Sequence, residues 1–160
     1  MILEQISMDE FAAGIKKTRT VIIPFGSVEE HGPHLPLGTD TIHVYEVCKE
    51  ASNRIPVFVA PPLFYGVCRS TRNHSGTVGI RATTLRALTA DVVVDLYRQG
   101  LRHFLILSGH ASGLQVASLT EVGEELLGTY PDIRLAVLSI IELASALWRN
   151  EIVTKNDSHA

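Results

Sequence analysis

The sequence predicts an α/β domain: a largely parallel sheet with helices on both faces. Three observations carry that expectation. Short apolar runs alternate with amphipathic stretches, without internal repeats, linkers or charge blocks, and strand–helix alternation of this kind implies right-handed crossovers between parallel strands. Residues 104–107, Phe-Leu-Ile-Leu, are continuously apolar, as in a strand covered on both sides. Finally, 160 residues suit one domain, and with 46% hydrophobic and 19% charged residues the chain can bury a core and falls outside the disordered classes.

The elements follow in order. Ser7 with Glu10 three residues on makes a capping box for a helix over 8–16, and 20–25 reads as the first buried strand. Residues 26–39 carry three Gly and two Pro and form a long ordered loop, after which a helix over 40–54 begins with Asp40 or Thr41 near its start. A short strand over 57–60 ends at Pro61-Pro62, and 65–80 is irregular. Thr83 or Thr84 is expected to cap a helix through Gln99, closed by Gly100 in the left-handed position that glycine adopts without strain. A strand over 103–107 runs into the polar loop 108–113. A helix over 114–130 stops at Pro131, a strand over 133–140 follows, and a last helix occupies 142–149.

Composition excludes several classes of function. Fourteen Lys+Arg against seventeen Asp+Glu leave a net charge of −3 with no basic stripe, so no nucleic-acid partner is expected. No apolar run approaches the ~18 residues of a membrane span, and Met1-Ile2-Leu3-Glu4 lacks the features of a secretory signal, so no membrane partner and a cytoplasmic location are expected. Cys48 and Cys68 have neither C-x-x-C spacing nor a shared context and read as buried hydrophobes. Gly109-His110-Ala111-Ser112-Gly113 fails as a nucleophile elbow, because Ser112 comes one place too late, and phosphate-loop motifs are missing.

Chemistry concentrates in two loops at the carboxyl ends of strands, where open α/β sheets collect ligands. In Gly26-Ser27-Val28-Glu29-Glu30-His31-Gly32-Pro33-His34-Leu35-Pro36-Leu37-Gly38-Thr39-Asp40, Glu29 and His31 are two apart and leave an extended segment on the same face, and Asp40 arrives after a turn shaped by Gly and Pro. His110, beyond another strand end, supplies a fourth donor. Imidazole with carboxylate, without thiolate, is the donor set of a catalytic Zn, Mn or Fe site. Three potential ligands on a backbone fixed by five Gly and Pro residues favour metal binding over a solvated connector.

The first loop resembles the signature of the creatininase (creatinine amidohydrolase) family, Gly-Ser/Ala-x-Glu-Gln-His-Gly-x-His-x-x-x-x-x-Asp. Asn73-His74-Ser75-Gly76-Thr77-Val78-Gly79-Ile80 is similar to that family's His-x-x-x-Pro-Gly-Thr segment, and Ser108-Gly109-His110 to its Asn-Gly-His loop. The resemblance implies a creatininase-like fold and a dinuclear hydrolase with two divalent ions, Zn, Mn or Fe. Glu29, Asp40 and His110 would hold one ion, His31 and Asp40 the other, with Asp40 bridging. A hydroxide shared by such ions would attack the C–N bond of a small cyclic or linear amide, the substrate and partner this resemblance implies, within a homo-oligomer. It also implies substrate-pocket roles for His74 and His34, and a proton-donor or substrate-contact role for His159.

The chain departs from the family pattern in two places. Glu30 replaces Gln, and alternation turns it away from Glu29 and His31. Ser112 stands where creatininase proper takes a glutamate ligand of the second metal; other branches take it from a downstream segment whose start resembles Asp157-Ser158-His159-Ala160. The expectation is therefore a single domain over 1–160 that is the front portion of a longer family protein. Alternatives are a degenerate non-catalytic subunit of the same fold, or a family hydrolase of a lactone or formamide. His43, inside a helix, His103, opening a strand, Tyr97 and Trp148 read as structural, and Glu121, Glu124 and Glu125 as a solvated helix face.

Overall fold

The computed structural model describes residues 1–148, the last three through their backbone only; the side chain of Trp148 and all of His159 lie outside the described residues. Ser7 caps α1 (Met8–Gly14) in the expected capping box: its hydroxyl accepts from the Glu10 amide while the Glu10 carboxylate accepts from the Ser7 amide. Four strands follow, β1 (Thr20–Phe25), β2 (Phe58–Val59), β3 (His103–Ser108) and β4 (Arg134–Ser139), all parallel in the order β2-β1-β3-β4. They alternate with α2 (Thr39–Arg54), α3 (Ala82–Arg98), α4 (Gly113–Thr129) and α5 (Ile140–Trp148). The expected α/β class, with its parallel sheet, is the observed one.

Side-chain alternation along β1 separates two cores. Val21, Ile23 and Phe25 pack with Leu85 and Val93 of α3 and Leu119, Val122 and Leu126 of α4, whereas Ile22 points to the other face with Val44 and Cys48 of α2 and with Ile140. Helices thus cover both faces, as the apolar run of β3 requires. Pro24 sits inside this central strand at little cost. Its carbonyl accepts from Leu63, on the side where β2 has already ended, and the missing N–H falls on that same side.

Several boundaries differ from the sequence expectation. Neither Thr83 nor Thr84 caps α3: the helix starts at Ala82, with Arg81 in the N-cap position and no side-chain cap, because the preceding extended backbone is already held by the Ile80 amide donating to Gly66 O. The last helix starts at Ile140 rather than Glu142. Ser139 and Glu142 form a second capping box there, which ends β4 one residue short of the apolar run. Gly100, at φ +103, closes α3 as expected.

The order β2-β1-β3-β4 makes β1 and β3 neighbours whose following connections diverge, one to α2 and the other to α4. That is a topological switch point, and the crevice lies beyond Phe25 and Ser108. Gly109 allows the two sides of the crevice to close. A Cβ there would stand 2.1 Å from the Asp40 carbonyl oxygen and 3.0 Å from Val44 Cβ. Gly109→Ala is therefore expected to cost about 2–3 kcal/mol through overpacking against backbone. Chemical denaturation measures this; an unchanged midpoint would contradict the close approach.

Candidate metal centre

The crevice gathers Glu29, His31 and Asp40 from the loop after β1 and His110 from the loop after β3. Backbone bonds shape the first loop: the Gly26 amide donates to Leu63 O and the Glu29 amide to Leu37 O, while Gly32 takes φ +65. Gly26 is required by packing, since a Cβ would lie 1.9 Å from Thr41 Oγ1 in the first turn of α2. Asp40 is placed in that same turn.

Asp40 stands between the two imidazoles, Oδ1 at 3.1 Å from His31 Nε2 and Oδ2 at 3.0 Å from His110 Nδ1. His110 Nδ1 also lies 2.6 Å from Glu29 Oε1. Glu29, His31 and His110 are buried, and Asp40 keeps 13% of its side chain exposed. Carbonyls set the tautomers. His31 Nδ1–H donates to Glu29 O at 3.2 Å and His110 Nε2–H donates to Val67 O at 3.2 Å, which turns His31 Nε2 and His110 Nδ1 toward the carboxylates. The donor atoms stand 2.6–3.1 Å apart. Two of these separations come within a few tenths of an ångström of the roughly 3.3 Å between neighbours in a tetrahedral shell with bonds of about 2.0–2.1 Å, and the His110–Glu29 pair is closer, at hydrogen-bond distance. The site's geometry and donor chemistry both fit a divalent cation.

A second layer, mostly silent in the sequence, holds these side chains. Ser27 Oγ donates to Asp40 Oδ2 at 2.6 Å, and Thr71 Oγ1 donates to Glu29 Oε2 at 2.7 Å. Buried Gln115, on α4, donates to Gly26 O and Ser108 Oγ and accepts from the Val67 amide, tying three loops together. Gly66 makes room for it, since a Cβ there would come within 2.4 Å of Gln115 Oε1. Cys68 is buried as expected, but it is more than packing: one donor atom each of Glu29, Cys68 and His110 lie within 4.8 Å of one another, as do those of Glu29, His31 and Asp40. Burial and the nearby Glu29 and Asp40 carboxylates push its thiol up to about 12.

His34 and His74 are exposed, and neither is in the donor groups that converge within 4.8 Å among the described residues. Glu30 is half-buried; its carboxylate accepts from the Gly32 amide and its own amide donates to Thr77 Oγ1, beside rather than within the centre. His43 is exposed on α2, His103 opens β3 beside Thr20 Oγ1, and Glu121 pairs with Arg86 on an exposed face, all as expected of structural positions.

A parallel α/β domain with a buried carboxylate–imidazole cluster at its switch point is an architecture suited to a hydrolase. The chain belongs to the creatininase family: the family model for creatinine amidohydrolase matches residues 4–160. It is similar to a creatinine amidohydrolase of Pseudomonas putida, 30% identical over 66% of this chain and 43% of that protein. It is also similar to a 3-dehydro-scyllo-inosose hydrolase of Thermotoga maritima, 28% over 67% and 35%, and to a mycofactocin precursor peptide peptidase of Mycobacterium tuberculosis, 32% over 63% and 43%. The matches span less than half the length of these relatives. Two solved creatininases, a mutant of Zn-Zn type and one described as creatininase Mn, share the fold with TM-scores of 0.85 and 0.80 at 22% and 23% identity; each alignment covers 99% of this chain and 67% of the other.

The cluster has a consequence for the metal-free protein. Burial lowers the His110 pKa, but hydrogen bonds to Asp40 and Glu29 and their charge outweigh burial and raise it from 6.5 to about 9. Below pH 6.5 the paired imidazolium contributes its full stabilisation, and that contribution is lost as pH rises through about 9. Denaturation of the chelator-treated chain at stepped pH is expected to show stability falling across this window. His110→Asn should flatten the slope; an equal slope in the variant would refute the assignment.

Proposed function

We propose that the chain is a metal-dependent amidohydrolase that cleaves the C–N bond of a small cyclic or linear amide. The single observation that carries this reading is the Asp40 carboxylate, which offers one oxygen toward each imidazole. Glu29, Asp40 and His110 are suited to one divalent ion and His31 with Asp40 to a second, Zn, Mn or Fe by donor type. When bound, such ions lower the pKa of coordinated water and polarise a carbonyl. The residues of the chain do the positioning: Ser27 bonds the Asp40 oxygen that faces His110, Thr71 holds the Glu29 oxygen turned away from it, and the Glu29 and Val67 carbonyls fix the ring orientations. Support for hydrolytic chemistry also comes from the names of the relatives, which include an amidohydrolase and a peptidase.

One observation favours a second reading, a non-catalytic subunit. Ser112, which stands where the creatininase pattern has a glutamate, is the N-cap residue of α4, without a side-chain cap. Metal analysis with a substrate panel of cyclic amides, formamides, lactones and a short peptide separates the two. Two ions per chain with small-amide turnover, reduced at least ~10³-fold by Asp40→Ala, are expected of the enzyme. One ion or none, without turnover, would establish the scaffold, and turnover of lactones alone would defeat the amidase reading. Self-association belongs to the same proposal, supported by the exposed apolar side chains Phe64, Tyr65 and Val78. Sedimentation is expected to show an oligomer, and a monomer would overturn it.

A further inference from the structure

We propose that the substrate of this site carries an oxyanion, a carboxylate or a phosphate, and that a cavity walled by arginines receives it. The cavity, of about 520 Å³, is lined by Arg69, Arg72 and Arg81 together with Cys68, Thr77 and Leu114, and no Asp or Glu is among its lining residues. That volume suits a small molecule. Its charge is out of keeping with the rest of the chain, which has a net charge of −3. Arg54, Arg86, Arg98 and Arg102 are each matched to a carboxylate, whereas Arg69, Arg72 and Arg81, like Arg19 and Arg134 elsewhere on the surface, have no ion pair among the described residues; Arg69, Arg72 and Arg81 line one hollow together.

Three exposed arginines lining one hollow make it electropositive, and a planar or tetrahedral oxyanion suits it through charge-assisted, often bidentate hydrogen bonds. The positive end of α3 adds to the same field, because Arg81 and Ala82 line the cavity where that 17-residue helix begins. The cavity adjoins the carboxylate–imidazole cluster. Cys68 forms part of its wall while its sulfur lies within 4.8 Å of donor atoms of Glu29 and His110, and Val67, another wall residue, accepts from His110 Nε2. A substrate that reaches the cluster and is long enough to pass Val67 and Cys68 would set an anionic substituent against Arg72 and Arg81. This inference rests on the amidohydrolase reading for the scissile bond, but not for the anion site itself.

Two measurements on the full chain test it. In the first, inorganic phosphate and succinate are titrated calorimetrically into chelator-treated protein. Both are expected to bind, at least ~10-fold more weakly to the Arg72→Gln/Arg81→Gln double variant and unchanged in Arg19→Gln/Arg134→Gln, which removes the same charge elsewhere. Circular dichroism confirms that the variants fold. Binding that is absent from the wild type, or equally weakened in both variants, overturns the proposal. In the second, amides that differ only in carrying a carboxylate, a phosphate or a neutral ester are compared. The anionic members are expected to lead in kcat/KM, the better of them identifying the oxyanion, and the double variant to erase the lead by raising KM with kcat little changed. A preference for the neutral member overturns the proposal. Turnover of no amide, with phosphate binding intact, would sink the amidohydrolase reading and leave the anion site standing.

Discussion

A buried carboxylate and a largely buried one, both set against the same imidazole, are the constraint around which the rest of this structure is arranged. Glu29 is buried, Asp40 keeps only 13% of its side chain exposed, and the two share His110 Nδ1 between them. Removing two anions from water is costly unless charge and hydrogen bonds compensate. One imidazolium leaves a residual negative charge, whereas a divalent ion with both imidazoles neutral balances the pair. Hydrogen bonding to the carboxylate oxygens leads the same way. Burial raises the Asp40 pKa, but bonds from His110 and Ser27 and the charge of His110 and His31 overcome it and hold the carboxyl below its usual range, ionised and ready to ligate.

The fold supplies what this arrangement requires. Because β1 and β3 are adjacent and their connections part, two loops distant in sequence open onto the same space. Closing that space needs small residues where backbones touch. Gly26 meets Thr41, Gly109 meets the Asp40 carbonyl, and Gly66 lies against Gln115. Gln115 then takes over the carbonyl and amide groups that the close approach would leave unpaired, and no buried side-chain polar atom among the described residues lacks a partner. Rigidity at the site thus comes from α4 as much as from the loops that carry the donors.

Much of this was legible in the sequence because it depends on local pattern. The alternation of apolar runs placed all four strands, the 29–31–40 spacing placed three donors, and a glycine after the amphipathic run of α3 placed its end. What was not legible depends on which loops meet. Thr71, Cys68 and Gln115 look ordinary in their own neighbourhoods, and only the tertiary approach of 66–80 to the first loop gives them roles. The Ser139–Glu142 capping box carries a readable spacing, but it lies inside an apolar run that argued for a longer strand. The helix start at Ala82 was misplaced for a related reason: a hydroxyl signals a cap only when the backbone enters the helix at that residue, and here tertiary bonds fix the entry at Arg81, two residues before Thr83 and three before Thr84.

The segment 66–80 joins the two halves of the site. It is pinned to the first loop by the Val78 amide donating to Val28 O and by Thr77 Oγ1 accepting from Glu30, and it returns to Gly66 through the Ile80 amide. Along the same stretch Thr71 supports Glu29, while its neighbour Arg72 faces the cavity. One short piece of irregular chain therefore carries a carboxylate's hydrogen-bond donor and the cavity's positive wall on adjacent residues. A loop free of regular secondary structure is suited to that role, because its conformation is set by the few tertiary bonds named here rather than by a ladder of its own.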